Sequence, residues 1–249
     1  MNNLLFSEIP VAACLLAASI ILRADPTDDW RGPSSPCSDV KEVACGNGIV
    51  VQVGHGGRVL TAKAGRIRAE RLGVRTFVRS VTFGQGLFVA VGGSYIDVPG
   101  TILTSRDGVN WVRRNAANRM NLHQVAWGGG IFVAAGDSGT ILISTNGLRW
   151  KAQRSGTSAS LTGVAYGNGL FVAGGESGTI LTSTNGVNWI IGRVEPTAYV
   201  GTMFFRDGNF LFGNSGARFT SADGQVWQRL ELWSYSTRQP RAPPTEPQK

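Results

Sequence analysis

A chain of 249 residues, 42% hydrophobic and only 16% charged, has enough apolar material for one large core. Its 34 glycines exceed the ordinary share, which suits short strands and tight turns and excludes a helical bundle or a disordered chain. A formal charge of +8 and a pI near 10.0 point to anionic partners without choosing among nucleic acid, glycan, headgroup and acidic protein.

The chain opens on an apolar run, Val11 to Leu22. It is too short to span a bilayer but has the length of a signal-peptide core, with Leu22-Arg23-Ala24 as the cleavage site. The expectation is export of the protein (to the periplasm, the cell surface or the medium) with residues 1–24 removed. Glu8, and the lack of Lys or Arg among the first ten residues, keep a mis-assigned start codon or an apolar strand open as alternatives. A cytoplasmic protein would follow from either. Residues 25–39, which carry Trp30, form a leader or edge strand. Cleavage leaves Cys37 and Cys45, eight residues apart. In an exported protein these form a disulfide; two reduced, buried thiols are the alternative.

From there the chain repeats, over residues 40–234. Val81-Thr-Phe-Gly-Gln-Gly-Leu-Phe-Val-Ala-Val-Gly92 recurs from Val125 and again from Val164, with weaker copies from Val43 and Met203. The intervals are 38, 44, 39 and 39 residues, the long one holding an insertion around Ser94 to Pro99. Each unit runs from an apolar segment through a Gly-Asn-Gly type turn to Leu-Phe-Val-Ala. A Gly-rich turn and Gly-Thr-Ile-Leu-Thr-Ser come next. In the last four units an Asx-Gly turn and a Trp close the pattern. Asn-Gly and Asp-Gly favour two-residue hairpins, because both central positions need positive φ. Short aromatic and β-branched runs are the mark of buried strands. Four strands joined this way make an antiparallel sheet with two apolar faces, which must stack on its neighbours. Radial repetition at this period is a β-propeller. The expected fold is all-β, a propeller of about five four-stranded blades, with closure of the ring left open. A solenoid of β-hairpins is the competing architecture.

The first unit departs from the pattern. Arg58, Lys63, Arg66, Arg68, Arg71, Arg75 and Arg79 stand against Glu70 alone, which accounts for six of the chain's eight net positive charges. Ala64-Gly65 replaces the Asx-Gly turn, and Arg68 replaces the Trp. This basic stretch is the candidate binding patch, for an acidic protein or another polyanion. A worn terminal blade whose arginines deter edge-to-edge aggregation is the alternative. Nucleic acid is disfavoured, because the patch lacks interleaved aromatics for base stacking.

The blocks that close the later units are Ser105 to Trp111, Ser144 to Trp150, Ser183 to Trp189 and Ser221 to Trp227. Their Ser-x-Asp/Asn-Gly-x-x-Trp pattern resembles the Asp-boxes of sialidase-type propellers and of propellers similar to the photosystem II assembly factor. The classical box has one more residue between Asp and Gly, so the likeness is to a variant. The resemblance spans about residues 40 to 232. It implies turns between the third and fourth strands of a blade with a structural role for Asp107, Asn146, Asn185 and Asp223, and packing roles for Trp111, Trp150, Trp189 and Trp227.

Chemistry is harder to find. Sialidase activity needs an arginine cluster, a Tyr–Glu pair and an acid, and such enzymes carry an Arg-Ile-Pro signature that is missing here. Three arginines converging on the axial cavity beside a Tyr–Glu pair would revive that alternative. His55 and His123 are the only histidines and have no metal-ligand spacing. No nucleophile elbow occurs either. The expectation is therefore a non-catalytic binding scaffold with no cofactor or metal. A sialidase-like protein and a purely structural envelope protein are the alternatives. Residues 235–249 are Pro-rich and polar and read as a disordered tail.

Overall fold

The structure, a computed structural model, describes residues 40–72, 77–94, 100–116, 119–195, 198–213 and 217–230. The leader (residues 1–39 with Cys37), Arg75 and the tail from 235 lie outside the described residues. Among the described residues no helix is long and apolar enough to cross a membrane.

Among the described residues, twenty strands form five four-stranded antiparallel sheets, each a simple meander. Blade 1 holds β1 (Val40–Gly46), β2 (Ile49–Gly54), β3 (Arg58–Lys63) and β4 (Arg66–Arg71). Blade 2 holds β5 (Phe77–Gly84), β6 (Leu87–Gly93), β7 (Thr101–Ser105) and β8 (Val112–Arg114). Blade 3 holds β9 (Leu122–Gly128), β10 (Ile131–Gly136), β11 (Thr140–Ser144) and β12 (Lys151–Gln153). Blade 4 holds β13 (Leu161–Gly167), β14 (Leu170–Gly175), β15 (Thr179–Ser183) and β16 (Ile190–Arg193). Blade 5 holds β17 (Met203–Arg206), β18 (Asn209–Gly213), β19 (Arg218–Ser221) and β20 (Gln228–Leu230). This is a β-propeller, with the first strand of every blade innermost.

The blades stack because both faces of each sheet are apolar. Four hydrophobic clusters straddle the four consecutive seams, blade 1 on 2 through blade 4 on 5. Phe88, Phe132, Phe171 and Phe210 hold one repeat position and are fully buried; each such ring stabilises by roughly 1.5–3 kcal/mol. One device recurs at all four seams. The last residue of the inner strand is a glycine, and the next blade lays an aromatic ring on it: Phe83 on Gly46, Trp127 on Gly84, Tyr166 on Gly128 and Phe205 on Gly167. A Cβ on Gly128 would sit 2.0 Å from the Tyr166 ring, so only glycine permits the contact.

The device stops at the ends. Blade 5 carries Arg206 where the glycine stands, and blade 1 carries Cys45 where the aromatic stands. Among the described residues, no strand of blade 5 pairs with blade 1 and no cluster joins them. The sheets are not closed into a continuous ring.

Candidate functional site

The repeated Ser-x-Asx-Gly-x-x-Trp turns join the third and fourth strands of blades 2 to 5. In blade 2, Ser105 Oγ donates to Asp107 Oδ1 at 2.9 Å, which also accepts the Val109 and Asn110 amides at 2.9 and 2.8 Å. The Trp111 indole donates to the Gly108 carbonyl at 2.9 Å. Asn146, Asn185 and Asp223 gather the same amides, and Trp150, Trp189 and Trp227 close the same loop at 3.0, 3.0 and 3.2 Å. Partial desolvation pushes the Asp107 carboxyl up, but the hydrogen bonds from Asn110, Val109 and Ser105 outweigh it and hold the group well below the carboxylate range. Asp223 is lowered chiefly by the amides of Val226 and Gln225. Each turn leans on the preceding blade. Gly147 has φ +69°, and a Cβ there would lie 2.7 Å from Leu87 Cδ2 and 3.1 Å from Val89 Cγ2. The polar groups of these turns are therefore engaged in shaping the turn, and its glycine packs on the seam. Trp150 is buried, whereas the other three tryptophans are half-buried.

Blade 1 replaces this turn with a tight hairpin, Ala64 (φ 47°) and Gly65 (φ 76°). Its outer strand β4 is six residues long, against three or four in the other outer strands. Lys63, Arg66, Arg68 and Arg71 are exposed on this edge, and Arg58 is half-buried at its far end. Arg68 Nε pairs with Glu70 Oε1 at 3.0 Å. The register sets Lys63 opposite Arg66 and Arg58 opposite Arg71. Like charges directly opposed across a ladder are destabilising, so the exposed Lys63–Arg66 pair repels at the turn end of this edge. Arg79 is not part of this edge. It lies on β5 of the next blade, half-buried, with its guanidinium 5.8 Å from the Phe77 ring centre. Nearness in sequence joined two blades that the fold separates.

A second constellation, at the axis, carries no motif in the sequence. The residue before the repeated Val or Met is Glu42, Ser80, Gln124, Gly163 and Thr202 in the five blades. The Gln124 side chain donates to Glu42 Oε1 at 3.1 Å and to the Met203 carbonyl at 2.9 Å. Its Oε1 accepts the amides of Val164 and Met203, both at 3.0 Å. The Val125 amide donates to Ser80 Oγ at 3.0 Å, and Ser80 in turn bonds Glu42, whose Oε2 accepts the Val81 amide at 3.2 Å. These bonds tie all five blades. Glu42 borders a cavity of about 340 Å³. Desolvation pushes its pKa up to about 7, against the hydrogen bonds from Ser80, Gln124 and Val81. No two blades carry the same residue in this column, so the repeat pattern gives it no signal.

The cavity holds Glu42 and Tyr166 but no arginine among its described lining residues. Tyr166 is committed to packing on Phe171, ring centres 4.6 Å apart, and on Gly128. The arginine convergence that sialidase chemistry demands is not met there. His123 Nε2 lies 2.5 Å from Asp137 Oδ1, whose other oxygen accepts from Asn121 Nδ2 at 2.9 Å. This pair clamps β9 to the turn after β10. Among the described residues no group of three His, Cys, Asp or Glu side chains could hold a metal.

No family model matches the chain, and no curated protein matches it in sequence. Solved structures match in fold. "YCF48 bound to D1 peptide" superposes with TM-score 0.58 at 16% identity, over 78% of this chain and 67% of that one. "YCF48 from Cyanidioschyzon merolae" gives 0.54 at 15%, over 80% and 87%. The "Nidogen/Laminin Complex" structure gives 0.60 at 9%, over 78% and 80%. At these identities the likeness is one of architecture: the chain has a β-propeller fold similar to that of YCF48.

Proposed function

We propose that the protein is a non-catalytic propeller scaffold that docks an acidic segment of a partner protein on the basic outer edge of blade 1. The observation that carries this is the β3–β4 hairpin, where Lys63 faces Arg66 across the ladder and Arg66, Arg68 and Arg71 stand exposed along one edge strand. An anionic partner relieves that repulsion. The company the fold keeps supports a binding role, since neighbours were captured with the D1 peptide and in a complex of nidogen and laminin.

In this reading the four Ser-to-Trp turns are variant Asp-boxes with a structural duty. Residues 1–24 are a signal peptide and the mature protein is exported. Cys45 is held in a disulfide, and Cys37 is its proposed partner. An oxidising compartment is where such a bond persists, which supports export. The test is capture from native extract by the wild type and by the triple variant R66E/R68E/R71E, at low and high salt. A partner retained by the wild type at low salt, and lost with the variant or with salt, is the expected result. Equal capture by both proteins overturns the proposal.

A further inference from the structure

The backbone of β4 offers more than charge. Among the described residues it bonds to β3 on one side only, as the last strand of its sheet. In an antiparallel pair every second residue turns its N–H and C=O away from the partner strand, so β4 presents, among the described residues, a row of donors and acceptors along its six residues that no strand pairs. Long edges of this kind accept a further strand, and the three- and four-residue edges of the other blades offer about half that length. Side chains alternate along a strand. Arg66 and Arg68 share one face of the sheet with Glu70, and Ile67 and Ala69 share the other with Arg71. Ile67 is 38% exposed, a small apolar contact on the face opposite Arg66 and Arg68.

We infer that β4 is a template for strand addition, and that the acidic segment binds in extended form as a fifth strand of blade 1. The inference rests on the function proposed above and specifies its geometry. A matching segment carries Asp or Glu at alternate positions, opposite Arg66 and Arg68, with small or apolar residues between them. Main-chain bonds supply affinity, and the alternating carboxylates set register. Arg68 exchanges its bond with Glu70 for one with the incoming carboxylate.

The probe is a synthetic peptide of about eight residues alternating Glu and Val, titrated into the full chain. NMR amide exchange is followed on β4. A control peptide of equal charge carries Pro at every third position and cannot make a ladder. Strand addition predicts at least tenfold slower exchange at alternate β4 amides in the complex, and at least tenfold weaker binding of the control. Binding of both peptides alike, with β4 amide exchange unchanged, overturns strand addition while leaving charge-driven docking in place. Failure of the Glu-Val peptide to bind, or equal binding to R66E/R68E/R71E, overturns the underlying function. Tighter binding of a sulfated oligosaccharide of matched charge than of the peptide overturns the choice of a protein segment.

Discussion

Gln124 of blade 3 donates a hydrogen bond to Glu42 of blade 1 at 3.1 Å across the propeller axis, while its other contacts reach blades 4 and 5. No strand joins blade 5 to blade 1 among the described residues. The axial side chains therefore supply the cross-blade ties that strand pairing would provide in a closed ring. Replacing Gln124 with Leu leaves the buried amides of Val164 and Met203 without a partner. Each such loss costs about 1–3 kcal/mol, so Q124L is expected to lower unfolding free energy by roughly 2–6 kcal/mol. Chemical denaturation measures it; a loss near zero would show that the axis is not a structural tie.

Glu42 makes stability depend on pH. Its folded pKa is raised to about 7 from an ordinary value of 4.5, so between these values the folded state binds more protons than the unfolded one. The contribution is full below pH 4.5 and fades as pH rises through 7. The expected loss is roughly 1–3 kcal/mol between about pH 5 and pH 8. E42Q should flatten that slope. Melting curves of both proteins across this range decide it: parallel profiles for E42Q and wild type would remove Glu42 as the cause.

The Ser-to-Trp turns are seam pieces, and their glycines test that role. G147A meets a left-handed φ of +69° and a Cβ contact of 2.7 Å with Leu87. Backbone strain of about 1 kcal/mol adds to overpacking of about 1–3 kcal/mol. W150A, which empties a buried site, should cost about 3–5 kcal/mol. By contrast Gly130, also at positive φ, would have nothing within 4 Å of an added Cβ, so G130A should cost only the backbone share. Equal losses for G147A and G130A would count against a seam.

The β3–β4 edge should behave in the opposite way. R66E turns a repelling pair with Lys63 into an attracting one, and cross-strand pairs are worth about 0.2–1 kcal/mol. The variant is expected to be at least as stable as wild type while binding acidic ligands less well. Destabilisation by R66E in denaturant titrations would mean that Arg66 has a structural duty.

Much of the fold was legible because turns have strict chemistry. Asn47, Asn168 and Asp207, each followed by glycine, all adopt positive φ in inner hairpins, so repeated dipeptides betray repeated sheets. The seam glycines were visible as repeats, but their purpose was not, since the ring resting on Gly128 comes from Tyr166, almost forty residues on. The site was legible only in part. Counting charges found β4 but drew in Arg79, because the blade boundary falls within that basic run. Gln124 and Glu42 each stand at a repeat position that no other blade fills alike, and a residue that does not recur leaves no periodic trace. Their role follows from where five inner strands converge.

Capture of an acidic segment by the arginine edge of blade 1 can be read from a single titration series. Fluorescence anisotropy of the labelled Glu-Val peptide is followed for wild type and R66E/R68E/R71E over a range of salt. Saturable binding to wild type that weakens steadily with salt, and at least tenfold weaker binding to the variant, is the expected result. Equal affinity of the two proteins, unmoved by salt, would refute docking at this edge.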